Sequence, residues 1–234
     1  MKKIMNNKRI TVTIIMAIVW LYLGNLGFSQ QVKNDNDFSA STIVISKDLS
    51  QLSQAEQAAL QMLVEEVEKR TTIELTTTVK WPDSSTPVIA IGIASSFTNK
   101  GPFNQLKVES STKDAEGFNI KLINDGRKAP TVFIIGNDTR GMLFGVGYFL
   151  RKISMQPGKV LVPDDLNIDT HPLVALRGHQ LGYRPKTNAY DGLTEDMWEQ
   201  YIRDLAVFGT NTVELVPPFT DDALTSPMFP LPQM

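Results

Sequence analysis

Apolar residues recur along this chain with two periods, and the switches between them mark out its elements. Thr42-Ile43-Val44-Ile45 is a short β-branched run that predicts a strand. Behind it, Ser53-Gln54-Ala55-Glu56 has the form of a capping box, in which Ser and Glu side chains satisfy free backbone donors at a helix start. Leu60, Leu63, Val64 and Val67 follow at helical spacing, so an amphipathic helix is predicted from Ser53 to Arg70. Its outward face carries Glu65, Glu66, Glu68 and Lys69, expected to be a solvated surface. Ile73 to Val79 is rich in Thr and β-branched residues, and Pro87 to Ile93 is a continuous apolar run; both predict strands, the second fully buried. Asn99 to Gly117 is polar and broken by Gly101-Pro102, as a long loop would be. Phe118, Ile120 and Leu122 alternate with polar neighbours in a half-buried strand, and Thr131 to Ile135 predicts another buried one.

The second half shows the same grammar. Asp138 or Thr139 is placed to cap a helix from Arg140 to Ile153 that is apolar nearly all round and therefore buried. Gly141, Gly145 and Gly147 lie inside that helix rather than in the turn before it. They predict close packing, not the phosphate cradle of a GxGxxG turn. Gln156-Pro157-Gly158 breaks the helix, and Val160 to Pro163 crosses towards a linker where Asp164, Asp165 and Asp169 are expected to be surface charges. Further on, Thr194-Glu195-Asp196 opens a helix that carries Trp198, Tyr201, Ile202, Leu205 and Phe208 at helical spacing and stops at Gly209. Thr212 to Val216 is the next strand, ended by Pro217-Pro218.

Composition removes several function classes. With no cysteine among 234 residues, disulfides, thiolate catalysis and Cys-ligated zinc are excluded, and two histidines cannot build a His-rich metal site. No metal and no cofactor is expected. A net charge of −2, with no basic block interleaved with aromatics after residue 9, argues against nucleic acid as a partner. At the amino terminus, Lys2, Lys3, Lys8 and Arg9 precede an apolar run from Ile10 to Leu23, and small residues follow at Gly27 and Ser29. This is the layout of a signal peptide spanning residues 1–29, which predicts a periplasmic or extracellular protein without stable membrane association after cleavage. Gln31 to Ser41 is polar and reads as a leader.

Two stretches then carry a resemblance. Glu116-Gly117-Phe118-Asn119-Ile120-Lys121-Leu122, a buried strand, and Gly136-Asn137-Asp138-Thr139-Arg140-Gly141-Met142-Leu143-Phe144-Gly145-Val146 resemble the small amino-terminal domain of family 20 glycoside hydrolases. Those are the β-N-acetylhexosaminidases, and family 67 α-glucuronidases have a similar domain. The resemblance covers residues 40–160 and implies an α+β fold, a sheet with helices on one face, with residues 161–173 as a linker. A (β/α)₈ TIM barrel would start at residue 174, its first βαβ unit formed by 174–234. His171-Pro172 followed by Arg177-Gly178 is similar to the opening of the first barrel strand in hexosaminidases. By that resemblance Arg177 binds sugar hydroxyls, for which a guanidinium offers several fixed donors. The alternative reading of Arg177 is a structural ion pair with a carboxylate at the domain junction. The pattern departs at His179, Gln180 and Gly182, where polar or small residues and then Tyr183-Arg184 replace the family's apolar strand, Asp and second Arg.

His179 is a further candidate at the barrel mouth, against the reading of a hydrogen-bonded structural histidine. Glu214, read either as facing the barrel mouth or as pairing with a neighbour, and Asp221-Asp222 complete the substrate-binding candidates. Thr220-Asp221-Asp222 resembles the hexosaminidase stretch after the second strand, but Pro217-Pro218-Phe219 replaces its His-x-His. The alternative reading of the two acids is a solvated proline-rich loop. One βαβ unit leaves a parallel pair uncovered, whereas a (β/α)₈ barrel needs about 250 residues and places its catalytic groups beyond the strand ends. The expectation is therefore the amino-terminal part of a secreted glycoside hydrolase acting on glycans, inactive as this chain alone because its catalytic carboxylates lie on later strands. The competing reading is a non-catalytic carbohydrate-binding or adaptor module, for which Trp81 and Phe103 are the loop aromatics available for sugar stacking.

Overall fold

The computed structural model describes residues 35–97, 113–124, 127–182 and 193–216. Predictions that fall on the signal segment, on Phe103, on Tyr183 and Arg184, and on Asp221 and Asp222 lie outside these residues. In chain order the strands begin with β1 (Asp35–Asp37) and β2 (Thr42–Ile45), then helix α1 (Gln54–Thr71), β3 (Thr76–Thr78) and β4 (Val88–Ile93). After these come β5 (Phe118–Ile123), β6 (Thr131–Gly136), helix α2 (Thr139–Lys152), β7 (Ser154–Gln156), β8 (Lys159–Pro163) and β9 (Asn167–Thr170). The last described elements are β10 (Gly178–Gly182), helix α3 (Glu195–Val207) and β11 (Thr212–Val216).

Six strands form one sheet in the order β3-β2-β4-β6-β5-β9. The β2, β3, β4 and β6 pairings are parallel, while β5 runs antiparallel to β6 and to β9. Alternation along each strand divides the sheet's side chains between two cores. Ile43, Ile45, Ile89, Ile91, Val132 and Ile134 face α1 and α2, where Leu63, Val67, Met142, Val146 and Phe149 close the main core. On the opposite face Val44, Val88, Ala90, Phe133 and Ile135 form a second cluster under Trp81 and Ala94. Every residue of β6 is buried, which suits a central strand covered on both faces.

Local chemistry explains both long helices. Ser53 and Glu56 make the reciprocal capping box that the sequence predicts, and Asp138 caps α2 by accepting from the Gly141 N–H at 2.7 Å. The glycines inside α2 are packing residues, each against a different neighbour. A Cβ on Gly145 would lie 3.0 Å from Ile134 of the sheet, one on Gly141 would lie 2.2 Å from the Gly117 carbonyl oxygen, and one on Gly147 would lie 2.8 Å from Val207 in α3.

Three features differ from the sequence reading. Residues 35–37, placed in a polar leader, are strand β1 paired with β8, and the neighbouring Phe38 is fully buried. Gln156-Pro157-Gly158 does not break the helix, which already stops at Lys152; Gln156 ends β7, and Pro157-Gly158 is the hairpin turn to β8, with Gly158 at φ +72 where a left-handed residue is required. Finally, residues 167–170, placed in a linker, are the sixth strand of the main sheet.

β10 and β11 pair parallel with each other, with α3 between them in sequence. The described residues from Asp35 onward form one compact unit, so this strand–helix–strand segment and the larger sheet are not separate bodies. Among the described residues no helix is long and apolar enough to cross a membrane.

Candidate functional site

Of the predicted site residues, Arg177, His179 and Glu214 lie on or beside the β10–β11 pair, at different points along it. Arg177 directly precedes β10, and each nitrogen of its guanidinium has a partner. Nη2 donates to Glu116 Oε2 at 2.5 Å, Nε donates to the Gly209 carbonyl at 2.7 Å, and Nη1 donates to the Val174 carbonyl at 2.9 Å. The group also lies 5.1 Å from the Phe144 ring centroid, close enough for a cation–π contact. The carboxylate partner at the junction, one of the two readings of Arg177, is thus present in the fold.

Glu116 is the centre of this arrangement, and the sequence alone did not single it out. Its side chain is 5% exposed and receives donors from three places in the chain: Arg140 at 3.0 Å, Arg177, and Asn211 Nδ2 at 3.2 Å. The Glu116 backbone has φ 62, a conformation that residues other than Gly, Asn and Asp seldom adopt. Asp138 holds it there, since Oδ2 of the same carboxylate that caps α2 accepts from the Glu116 N–H at 2.8 Å. Asn211 in turn exchanges hydrogen bonds with Arg177: its Oδ1 accepts from Arg177 N at 2.9 Å and its own N–H donates to the Arg177 carbonyl at 3.0 Å.

His179 and Glu214 lie on opposite faces of the β10–β11 pair. His179 points to α3, with Nε2 3.0 Å from the Tyr201 hydroxyl and the two rings edge to face. That is the hydrogen-bonded structural histidine of the sequence reading. Glu214 stands opposite Gln180 in the register, and both are exposed on the face turned away from α3, with Gly178 and Thr212. Arg177 and Glu214 are therefore not brought into one pocket: Arg177 sits at the amino end of β10, and Glu214 is the middle residue of β11.

The acidic stretch of α1, expected to be solvated, instead meets α3. Glu65 pairs with Arg203, Gln200 Nε2 donates to Glu66 at 3.2 Å, and Lys69 donates to Gln200 at 2.9 Å. The hydrogen bond from Arg203 holds the Glu65 carboxyl below the usual range, and the same bond raises the guanidinium. Glu66 is buried at 3% exposure, a residue that periodicity assigns to the surface because the sequence cannot show that another helix docks there. Trp81, the stacking candidate in the described loops, is engaged within the fold. Its ring lies 6.0 Å from that of Phe133, with the Arg127 guanidinium 5.7 Å from its centroid. Among the described residues no group of three or more His, Cys, Asp or Glu comes together as a metal site.

A mixed sheet with helices on one face, leading directly into a parallel strand–helix–strand segment, defines the architecture with which known proteins can be compared. No family model matches the chain, and no curated protein matches it. Solved structures do. A family 20 β-N-acetylhexosaminidase from Streptomyces coelicolor superposes with TM-score 0.50 at 18% identity, over 77% of this chain and 31% of that one. A family 20 exo-β-N-acetylglucosaminidase from Vibrio harveyi, solved with N-acetylglucosamine, gives TM-score 0.51 at 13% identity over 78% of this chain and 23% of its own. A family 115 4-O-methyl-α-glucuronidase with specificity for decorated arabinogalactans gives 0.54 at 16%, over 79% of this chain and 27% of its own. At these identities the common property is the fold, and the chain spans less than a third of the length of each of these enzymes.

Proposed function

We propose that this protein is the amino-terminal portion of a secreted, glycan-acting glycoside hydrolase, in which β10, α3 and β11 open a (β/α)₈ catalytic barrel. The observation that carries this reading is the shared fold: three glycoside hydrolases superpose over 77%, 78% and 79% of this chain. The open face of the β10–β11 pair supports it, because Gln180 and Glu214 lie where a barrel interior would be, on the side away from the helix. The basic and apolar segment at residues 2–23 supports export.

In this reading the small domain and first strands form part of the wall, and the reacting carboxyl groups are contributed by later strands. Glu214 and the Asp221-Asp222 pair are the residues of this chain proposed to meet the glycan. The adaptor alternative is weakened by Trp81, whose ring is committed to Phe133 and Arg127.

The test is turnover by the product of the continuous reading frame, offered aryl N-acetyl-β-glucosaminides and aryl glucuronides in parallel. Release of aglycone from either substrate supports the proposal, and release from neither, by a folded product, contradicts it. The 234-residue chain alone is predicted to release none.

A further inference from the structure

The two stretches that carry the family resemblance, around Glu116 and around Asp138-Arg140-Gly141, meet the residues that begin β10 and β11 at a single buried carboxylate. We propose that Glu116 is a docking latch: its carboxylate fixes the β10–α3–β11 segment to the six-stranded layer, and Arg177 is the receiving half of that latch rather than a sugar ligand.

The geometry is asymmetric in an informative way. Of the three donors on Glu116, Arg140 belongs to the first turn of α2 in the layer, whereas Arg177 and Asn211 belong to the docked segment. The two docked donors are tied to each other by reciprocal hydrogen bonds, and Arg177 also binds the Gly209 carbonyl in the loop after α3. One carboxylate therefore gathers both strand starts and the end of the helix between them. A carboxylate this buried is tolerated only when its charge is matched and its lone pairs are filled, so removing its partners leaves a strongly unfavourable buried charge.

Other contacts accompany the latch: Gln200 of α3 donates to the buried Glu66, and Val207 packs against the main core. Among the described residues α3 buries none of its own fully, and Glu65–Arg203 is a peripheral pair of the sort that contributes little singly. Gly147 against Val207 allows close approach but carries no directional bond. The left-handed backbone at Glu116 fits this role. Strained conformations persist where surrounding structure fixes them, and Asp138 fixes this one with the side chain aimed into the junction.

Position separates Arg177 from the expected chemistry as well. In parallel strand–helix barrels, catalytic and binding groups come from the carboxyl ends of the strands. Arg177 precedes the amino end of β10, about 16 Å of strand away at roughly 3.3 Å per residue. This last point rests on the barrel reading, whereas the latch itself does not.

The test is hydrogen exchange on the full chain, comparing wild type with Glu116→Gln, Arg177→Met and the double variant. Each single variant should speed exchange at least tenfold in peptides covering 178–182, 195–207 and 212–216. Peptides from β4, β6 and α1 should keep their protection, and the double variant should be no worse than the more severe single one. Should Glu116→Gln fail to fold, Arg177→Met and Asn211→Ala decide the matter by the same peptides. Unchanged protection in the docked segment would overturn the latch, as would loss spread evenly through the six-stranded layer. Because exchange needs no substrate, its outcome is independent of the glycosidase assay.

Discussion

Replacing Asp138 with alanine tests whether one carboxylate organises both the start of α2 and the turn that presents Glu116. Asp138 Oδ1 accepts from Gly141 N at 2.7 Å, and Oδ2 accepts from Glu116 N at 2.8 Å. Losing a helix N-cap costs about 1 kcal/mol. Leaving the Glu116 N–H without a partner in a mostly buried turn costs about 1–3 kcal/mol more. The expected destabilisation of Asp138→Ala is the combination, about 2–4 kcal/mol. Asparagine is as good an N-cap as aspartate but has a single acceptor oxygen, so Asp138→Asn keeps the cap, loses the second bond and costs about 1–3 kcal/mol, about 1 kcal/mol less than alanine. Urea unfolding followed by far-ultraviolet circular dichroism measures both, and the midpoint should shift while the slope stays fixed. An Asn variant as stable as wild type would show that the Glu116 turn does not depend on Asp138, whereas equal losses for Asn and Ala would show that the cap contributes nothing. A loss below about 0.5 kcal/mol for Ala, the range of an ordinary surface change, would refute the reasoning altogether.

Two further predictions probe other parts of the account. Gly141→Ala would place a methyl group 2.2 Å from the Gly117 carbonyl oxygen, a backbone atom that cannot swing away. It should therefore lower the melting temperature, despite the roughly 1 kcal/mol that alanine gains over glycine inside a helix; a raised melting temperature would show that the β5 turn is free to retreat. Glu56 concerns pH. Burial pushes its carboxyl up, but Lys47 at 2.9 Å and the Ser53 N–H at 2.8 Å together outweigh burial and hold it below the usual range. A depressed folded-state value contributes stability that is fully present above the unfolded value of about 4.3 and is lost as pH falls through the lower folded value. Glu56→Gln should accordingly be less stable than wild type at neutral pH, with the difference shrinking on acidification below pH ~4; a difference independent of pH would contradict the assignment.

What the sequence could and could not reveal divides by the range of the interaction. The capping box at Ser53, the Asp138 cap and the alternation of Phe118, Ile120 and Leu122 are local signals, and the corresponding elements form where those signals place them. Asp35-Asn36-Asp37 carries no apolar pattern and becomes a strand because β8 supplies the hydrogen bonds, a pairing more than a hundred residues away in sequence. Asn167–Thr170 is likewise made a strand by β5. At the junction, Arg177 was legible as a residue of interest with two opposed roles, and its partner was not. Glu116 stands in a polar stretch, and neither period nor charge shows that Arg140, Arg177 and Asn211 close on it. Glu66 was misplaced for the same reason: helix periodicity reports one buried face, and α3 covers part of the other.

The central claim, that β10, α3 and β11 open a catalytic barrel of a glycan-acting hydrolase, is tested most directly by an experimental structure of the complete product of the reading frame. The account predicts that the outer edges of β10 and β11 are paired by further parallel strands in a closed barrel, with Gln180 and Glu214 inside and Arg177 still clasped by Glu116 at the amino end. A β10–β11 pair that remains two-stranded, with Glu214 facing solvent, would contradict it.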